Sequence, residues 1–122
     1  MIRLAAALAA TVLVASPLKV KLTAPSHSPR INTHWNYVVR ATKNGKPVKG
    51  RLTAQIVDPI GGKHYVQRGP TTQNLRNWPF TGVYRDYIIW PAESRGVPLT
   101  LRLTVVAGSA RKVIDYDVVP RK

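Results

Sequence analysis

The sequence predicts an all-β protein, a β-sandwich of seven or eight short strands. Apolar and polar residues alternate in several windows after residue 16, and a period of two is typical of half-buried strands. Proline, glycine and asparagine separate these windows as turns. No window in this part of the sequence has the 3.6-residue period of a helix. Seven or eight strands in about 100 residues are typical of two facing sheets.

The first sixteen residues are expected to form a secretory signal that precedes this domain. Arg3 is followed by an apolar run over residues 4–15 that only Thr11 interrupts, which is the pattern of an export signal. The run is shorter than the roughly 20 residues that a membrane-spanning helix needs. An uncleaved membrane anchor is the alternative. We therefore expect a domain at residues 17–122 that is secreted or held at the cell envelope.

The composition is that of one strongly basic globular domain. The 122 residues include 19 Lys and Arg against 5 Asp and Glu, a formal charge of +14, and 44% are hydrophobic. This apolar fraction is too high for a disordered basic tail. Cysteine is absent and Met1 is the one methionine. Disulfides, thiolate metal sites and a cysteine nucleophile are thereby excluded, as is a methionine-rich copper site in a mature chain.

The alternating windows define the expected strands. They cover residues 18–23, 34–42, 51–58, 64–67, 80–84, 86–90, 99–106 and 112–119. The two windows between residues 80 and 90 can also form one bent strand. Residues 69–77 show no period and predict a long loop. Trp35, Tyr37 and Tyr116 fall on inward positions, so we expect them in the core.

The last two strands also predict their own register. A two-residue turn at Gly108 and Ser109 sets Arg102 opposite Asp115. Opposite charges then meet, and apolar residues face apolar residues along the rest of the pair. The same register leaves Asp117 opposite a threonine. We therefore expect a hairpin here.

The segment KNGKPV at residues 43–48 predicts a different connection. A tight hairpin at Asn44 and Gly45 would set Arg40 against Lys49 and would bring Pro47 into the ladder. Like charges would then face each other, and a backbone donor would be missing. We therefore interpret this segment as an arch that carries the chain from one sheet to the other.

Residues 37–56 carry a resemblance to a known family. The valine-rich strand, the Asn-Gly-Lys-Pro-Val turn and the alternating strand after it resemble bacterial immunoglobulin-like modules. The later strands follow in the order that this family shows. The resemblance implies an immunoglobulin-like β-sandwich that serves as an extracellular adhesion, spacer or accessory domain. It implies no catalytic residues and no particular ligand.

The residues that could carry catalysis or bind metal are few and scattered. Asp115 and Asp117 lie two apart on one strand, about 7 Å from each other, a separation that suits a glycosidase pair. Since Arg102 is the expected partner of Asp115, we favour ordinary surface aspartates, and a small hydrolase is an alternative. His27, His34 and His64 lack the spacing of a compact metal site. We therefore expect no enzyme, metal or cofactor.

Two tryptophans at strand ends suggest a second alternative. Trp78 and Trp90 each precede a proline, and flat rings at such places can stack on sugars. They can equally close the end of a sandwich. A carbohydrate-binding accessory module is therefore also considered.

The positive charge is the most unusual feature of the sequence. Lys43, Lys46, Lys49 and Arg51 fall within nine residues that contain no acid. Such a cluster attracts polyanions, although charge can also serve solubility alone. Further cations that we expect on outward positions or beside a turn are Lys19, Lys21, Arg40, Arg111 and Lys112.

The expected function follows from this cluster. We expect an exported, non-catalytic binding or structural module of the cell envelope that attaches to anionic polymers or surfaces through these four residues. The sequence has no recognition helix and no aromatic RNA-binding motif, which argues against sequence-specific nucleic-acid binding. It indicates no particular protein partner.

Overall fold

The computed structural model describes residues 17–122. The expected signal at residues 1–16 and its cleavage site lie outside the described residues. The described part of the chain forms nine strands and one short 3-10 turn. Their bounds are β1 Lys19–Thr23, β2 His34–Lys43, β3 Lys46–Pro47, β4 Lys49–Val57, β5 Lys63–Tyr65, β6 Trp78–Thr81, β7 Val83–Ile89, the turn Ala92–Ser94, β8 Leu99–Ala107 and β9 Ala110–Val118.

The strands form two antiparallel sheets, which confirms the all-β sandwich. In the four-stranded sheet, β2 pairs with β1, with β7 and with the short β3. In the five-stranded sheet, β4 pairs with β5 and β6 and also with β8, and β9 completes that sheet beyond β8. Long antiparallel strands with one buried face explain why the period of two was so clear in the sequence.

One apolar core lies between the sheets. Trp35, Tyr37 and Val39 of β2 are at most 3% exposed, and Leu101 and Leu103 of β8 are fully buried. The predicted core positions of the two β2 aromatics are confirmed. Tyr116, the third aromatic expected inside, is half-buried and packs against this core.

The predicted register of the last hairpin is confirmed. β8 and β9 pair so that Arg102 lies opposite Asp115, and the turn between them contains Gly108 at a φ of 62°. The Arg102 guanidinium donates two hydrogen bonds to the Asp115 carboxylate, at 2.8 and 3.0 Å. A two-residue turn allows one register only, which is why the sequence alone identified it.

The segment 43–48 combines a tight turn with the expected crossing. The prediction that it avoids a hairpin is wrong, because Lys43 pairs with Lys46 and Pro47 lies in the ladder opposite Thr42. Asn44 and Gly45 adopt the positive φ angles, 54° and 73°, that such a turn needs. The ladder ends after these two pairs, and β4 then belongs to the other sheet.

The run from residue 78 to 89 also changes sheets, at Gly82. β6 pairs with β4 in one sheet and β7 pairs with β2 in the other. Gly82 has a φ of 73°, and its carbonyl accepts a hydrogen bond from Ala41 N at 2.8 Å, while its own N–H donates to Val48 O at 3.0 Å.

Because β3 is an additional strand, the described residues contain nine strands rather than seven or eight.

Candidate functional site

The topology gathers cations at the end of the sandwich where the chain crosses between the sheets. β2 ends there, β4 begins there, and the β8–β9 turn lies at the same end of the five-stranded sheet. We call this region the basic end. It consists of Lys43, Lys46, Lys49, Arg51, Arg111 and Lys112.

The four predicted residues lie in two adjoining pairs. Lys43 and Lys46 face each other across the turn, so their like charges lie side by side. Lys49 and Arg51 are two apart on β4 and therefore point to the same side of the strand. They line a shallow concavity of about 510 Å³ together with Phe80.

The fold adds cations from the other end of the sequence to this cluster. Arg51 and Arg111 both lie opposite Val106, one on each side of it, so their side chains share the outer face of the sheet. Lys112 is the next residue along β9 and is exposed. The sequence indicated these two cations, but only the register of β4, β8 and β9 shows that Arg111 lies beside Arg51. Lys112 lies opposite Val105 at the same end of the sheet, with its side chain on the other side of the strand from that of Arg111.

No acidic residue belongs to the basic end. Asp58 and Glu93 lie at the opposite end of the sandwich, beyond the last residue of β4 and in the 3-10 turn. Within residues 17–122, Arg102 is the one Lys or Arg that forms an ion pair. Arg51 donates a hydrogen bond to the carbonyl of Asn77 at 3.2 Å, which leaves its charge uncompensated. The basic end is therefore free to pair with anions from outside the chain.

The aspartate pair of the hydrolase alternative is engaged elsewhere. Hydrogen bonding to Arg102 lowers the pKa of Asp115 below its ordinary value, so its carboxyl is unsuited to donate a proton near neutral pH. Asp117 accepts a hydrogen bond from Thr100 Oγ1 at 3.0 Å. Both aspartates are exposed on the outer face of a sheet, and neither lines the concavity beside Lys49 and Arg51.

The three histidines lie in separate surroundings. His27 stacks on Tyr116 with ring centroids 4.0 Å apart, and His34 stacks on Tyr87 at 3.9 Å. His64 Nε2 lies 3.0 Å from the carboxylate of Asp58. Over residues 17–122, no group of three or more histidine, aspartate or glutamate side chains is placed to hold a metal ion.

The two tryptophans of the sugar-platform alternative lie in different surroundings. Trp90 is 2% exposed and packs edge-on against Trp35 at 5.5 Å between ring centroids, so it has no open face. Trp78 is half-buried, and the guanidinium of Arg68 lies over its ring at 4.1 Å. The assignment of Trp90 to an exposed platform is therefore wrong, because its side chain points into the core.

Sequence reasoning missed a second concave surface, at the other end of the sandwich from the basic end. A cavity of about 600 Å³ opens where the 66–71 segment faces the end of β7. Its apolar lining includes Ile56, Val66, Ile88 and Leu99. Contacts from four separate segments form it, and no local motif signals such a site. Its walls offer packing for an apolar group rather than a set of converging acids and bases.

No protein-family model, curated protein or solved structure matches this chain. Among residues 17–122 there is no helix of the length and apolar character that crossing a membrane requires.

Proposed function

We propose that this chain is an exported, non-catalytic immunoglobulin-like module that attaches to anionic polymers or surfaces of the cell envelope through the basic end. The observation that supports the proposal is the convergence of six cations, without an acid, at one end of the sandwich. The immunoglobulin-like assignment rests on the resemblance of residues 37–56, together with two antiparallel sheets. Export rests on the sequence of residues 1–16.

The physical basis of attachment is electrostatic. A cluster of uncompensated cations raises the local concentration of anions and speeds their association. Binding to a linear polyanion releases the counterions of that polymer, so affinity falls linearly in a plot of log K against log salt. If the charge served solubility alone, it would not matter which cations were removed. If the protein attaches through the basic end, removing cations there should weaken binding more than removing cations elsewhere.

The test compares two variants of equal net charge. One replaces Lys43, Lys46, Lys49 and Arg51 by Gln. The matched control replaces four cations outside the basic end, and these are Arg30, Lys63, Arg95 and Lys122. Binding of each protein to dextran sulfate is measured by calorimetry at several salt concentrations.

The basic-end variant should lose most of its affinity. The slope of log K against log salt should fall by about 3, from four lost contacts at roughly 0.7 each. The control should retain nearly the slope of the unmodified protein. Equal losses of affinity in both variants would contradict the proposal, because binding would then depend on the net charge of the protein and not on the position of the cations.

A further inference from the structure

A second set of cations covers the outer face of the four-stranded sheet. Lys19 and Lys21 of β1, Arg40 of β2 and Arg85 of β7 are all exposed. The register places all four on one side of the sheet. Lys21 lies directly opposite Arg40. Arg85 lies opposite Val38, which is two residues before Arg40 on β2 and therefore points to the same side. We call these four residues the cationic face.

The arrangement of charges on this face opposes the stability of the free protein. Lys21 and Arg40 lie directly opposite each other on adjacent strands, and like charges in that position are destabilising. The five-stranded sheet shows the favourable alternative, where Arg102 lies opposite Asp115. No acidic residue projects from the outer face of β1, β2 or β7 within the described strands, and none of the four cations forms an ion pair there.

The spacing of the cations suits a chain with regularly repeated charges. Lys19 and Lys21 are about 7 Å apart along β1. Lys21 and Arg40 are about 5 Å apart across the pair, and Arg40 and Arg85 are about 7 Å apart on the diagonal. These steps are comparable to the length of one sugar in a polysaccharide.

The neutral residues on this face also suit a polysaccharide. Thr23, Asn36 and Thr42 lie on the same side as the cations, and their hydroxyl and amide groups can hydrogen bond to sugar hydroxyls. The rings of His34 and Tyr87 stack on each other at 3.9 Å. The Tyr87 ring also packs against Gly69, so it offers little open surface for the base stacking that single-stranded nucleic acids use.

We propose that the cationic face binds a linear polysaccharide that carries one acidic group on every sugar. The two arginines can form paired hydrogen bonds to such groups, and the two lysines act as point charges. The proposal rests on the function proposed above and extends its site from the basic end along the outer face of β1, β2 and β7. The bound acids offset the repulsion that Lys21 and Arg40 exert on each other.

The test uses two double variants with equal charge. Lys21→Thr with Arg40→Thr changes the face, and Lys63→Thr with Arg95→Thr removes a lysine and an arginine outside it. Polygalacturonate, with a carboxylate on every sugar, is compared with hyaluronan, which has one on every second sugar, at equal carboxylate concentration. Calorimetry gives the affinities, and thermal unfolding gives the midpoint of each variant.

The face variant should bind polygalacturonate at least tenfold more weakly than the control variant does, and its unfolding midpoint should be equal to or above that of the unmodified protein. The unmodified protein should prefer polygalacturonate to hyaluronan. Equal affinity of the two double variants would overturn the proposal. Tighter binding of the unmodified protein to an oligothymidylate than to polygalacturonate would also overturn it.

The two proposals fail in different ways. If neither dextran sulfate nor polygalacturonate binds the unmodified protein with a salt dependence, both are wrong. If the basic-end variant loses affinity for polygalacturonate while the face variant retains it, the proposed function stands and the cationic face is not part of the site.

Discussion

Four of the five acidic side chains form hydrogen bonds within the fold, and among residues 17–122 only Asp115 pairs with a lysine or arginine. Asp58 accepts hydrogen bonds from two backbone N–H groups of its own turn. Asp86 accepts one from the Tyr84 hydroxyl at 2.6 Å. Asp115 and Asp117 bond to residues on the neighbouring strand. Among the described residues, most of the lysines and arginines therefore have no acidic side chain to offset their charge.

The first prediction concerns Asp58 and pH. The pKa of Asp58 lies below its ordinary value. The largest cause is its hydrogen bond with His64, and the second is the hydrogen bond that it accepts from the Gly62 amide. Its contribution to stability is therefore present above the unfolded pKa of about 3.9 and is lost as pH falls through the lower folded pKa. His64→Ala should raise the pKa of Asp58, as measured by NMR titration of its carboxyl carbon. An unchanged pKa in that variant would show that His64 does not act on Asp58.

At the scale of elements, two connections determine how the sheets join, and Gly82 lies at one of them. Its φ is 73°, and a Cβ at this position would lie 2.7 Å from Pro47 Cβ. Gly45 has the same φ, but an added Cβ would meet nothing within 4 Å. Comparing substitutions at the two glycines therefore distinguishes the cost of a positive φ, which both share, from the cost of the steric contact with Pro47, which only Gly82 has.

Replacing each of these glycines by alanine gives the second prediction. Gly45→Ala should cost about 1–2 kcal/mol for the left-handed backbone alone. Gly82→Ala should cost more, because Pro47 must also move. Urea unfolding of both variants measures the difference, and equal losses would mean that the crossing accommodates a methyl group.

The third prediction concerns the long segment between β5 and β6. Leu75 is fully buried, and its backbone bonds to Ala54 and Val66 at 3.0 and 2.7 Å. Leu75→Ala should destabilise the protein by about 2–5 kcal/mol, as measured by urea unfolding. Ile60→Ala is the control, since Ile60 is 94% exposed and its loss should change stability by less than about 0.5 kcal/mol. Similar values for both variants would show that the segment does not close the core.

Local patterns predicted the elements whose constraints lie within a few residues. The β8–β9 register followed from one short turn and from the pairing of Arg102 with Asp115. The burial of Leu75 could not be predicted, because that residue lies in an aperiodic segment and packs against distant strands. Two features of the sequence argue against a hairpin at Asn44 and Gly45, namely Pro47 and the like charges of Arg40 and Lys49. The ladder nevertheless forms, because it ends after two pairs, so that Arg40 never faces Lys49 and the proline lies at its end.

At the scale of the whole molecule, the charges are unevenly distributed over the sandwich. The basic end and the cationic face adjoin each other, because β1 and β2 of that face reach the end where Lys43 and Lys46 form the turn. The sequence identified four clustered members of this surface and five further cations on outward positions or beside a turn, and it missed Arg85. Only the strand order and register show that Lys19, Lys21, Arg40 and Arg85 share one outer face and that Arg111 lies beside Arg51.

The fourth prediction follows from the formal charge of +14. Repulsion among the cations destabilises the compact state, and salt screens it. The thermal unfolding midpoint of the free protein should therefore rise between low and moderate sodium chloride, as followed by circular dichroism. A midpoint that falls over this range would mean that favourable ion pairs dominate the surface.

If one contiguous cationic surface binds polyanions, NMR of the isotope-labelled protein should locate the bound polymer on that surface. Polygalacturonate is added at low salt, and amide shifts are recorded before and after sodium chloride is raised. Changes should be confined to residues 19–21, 40–51, 83–85 and 111–112, and salt should reverse them. Changes centred on the 600 Å³ cavity near Ile88, or changes that persist in high salt, would show that polyanions do not bind electrostatically at the cationic surface.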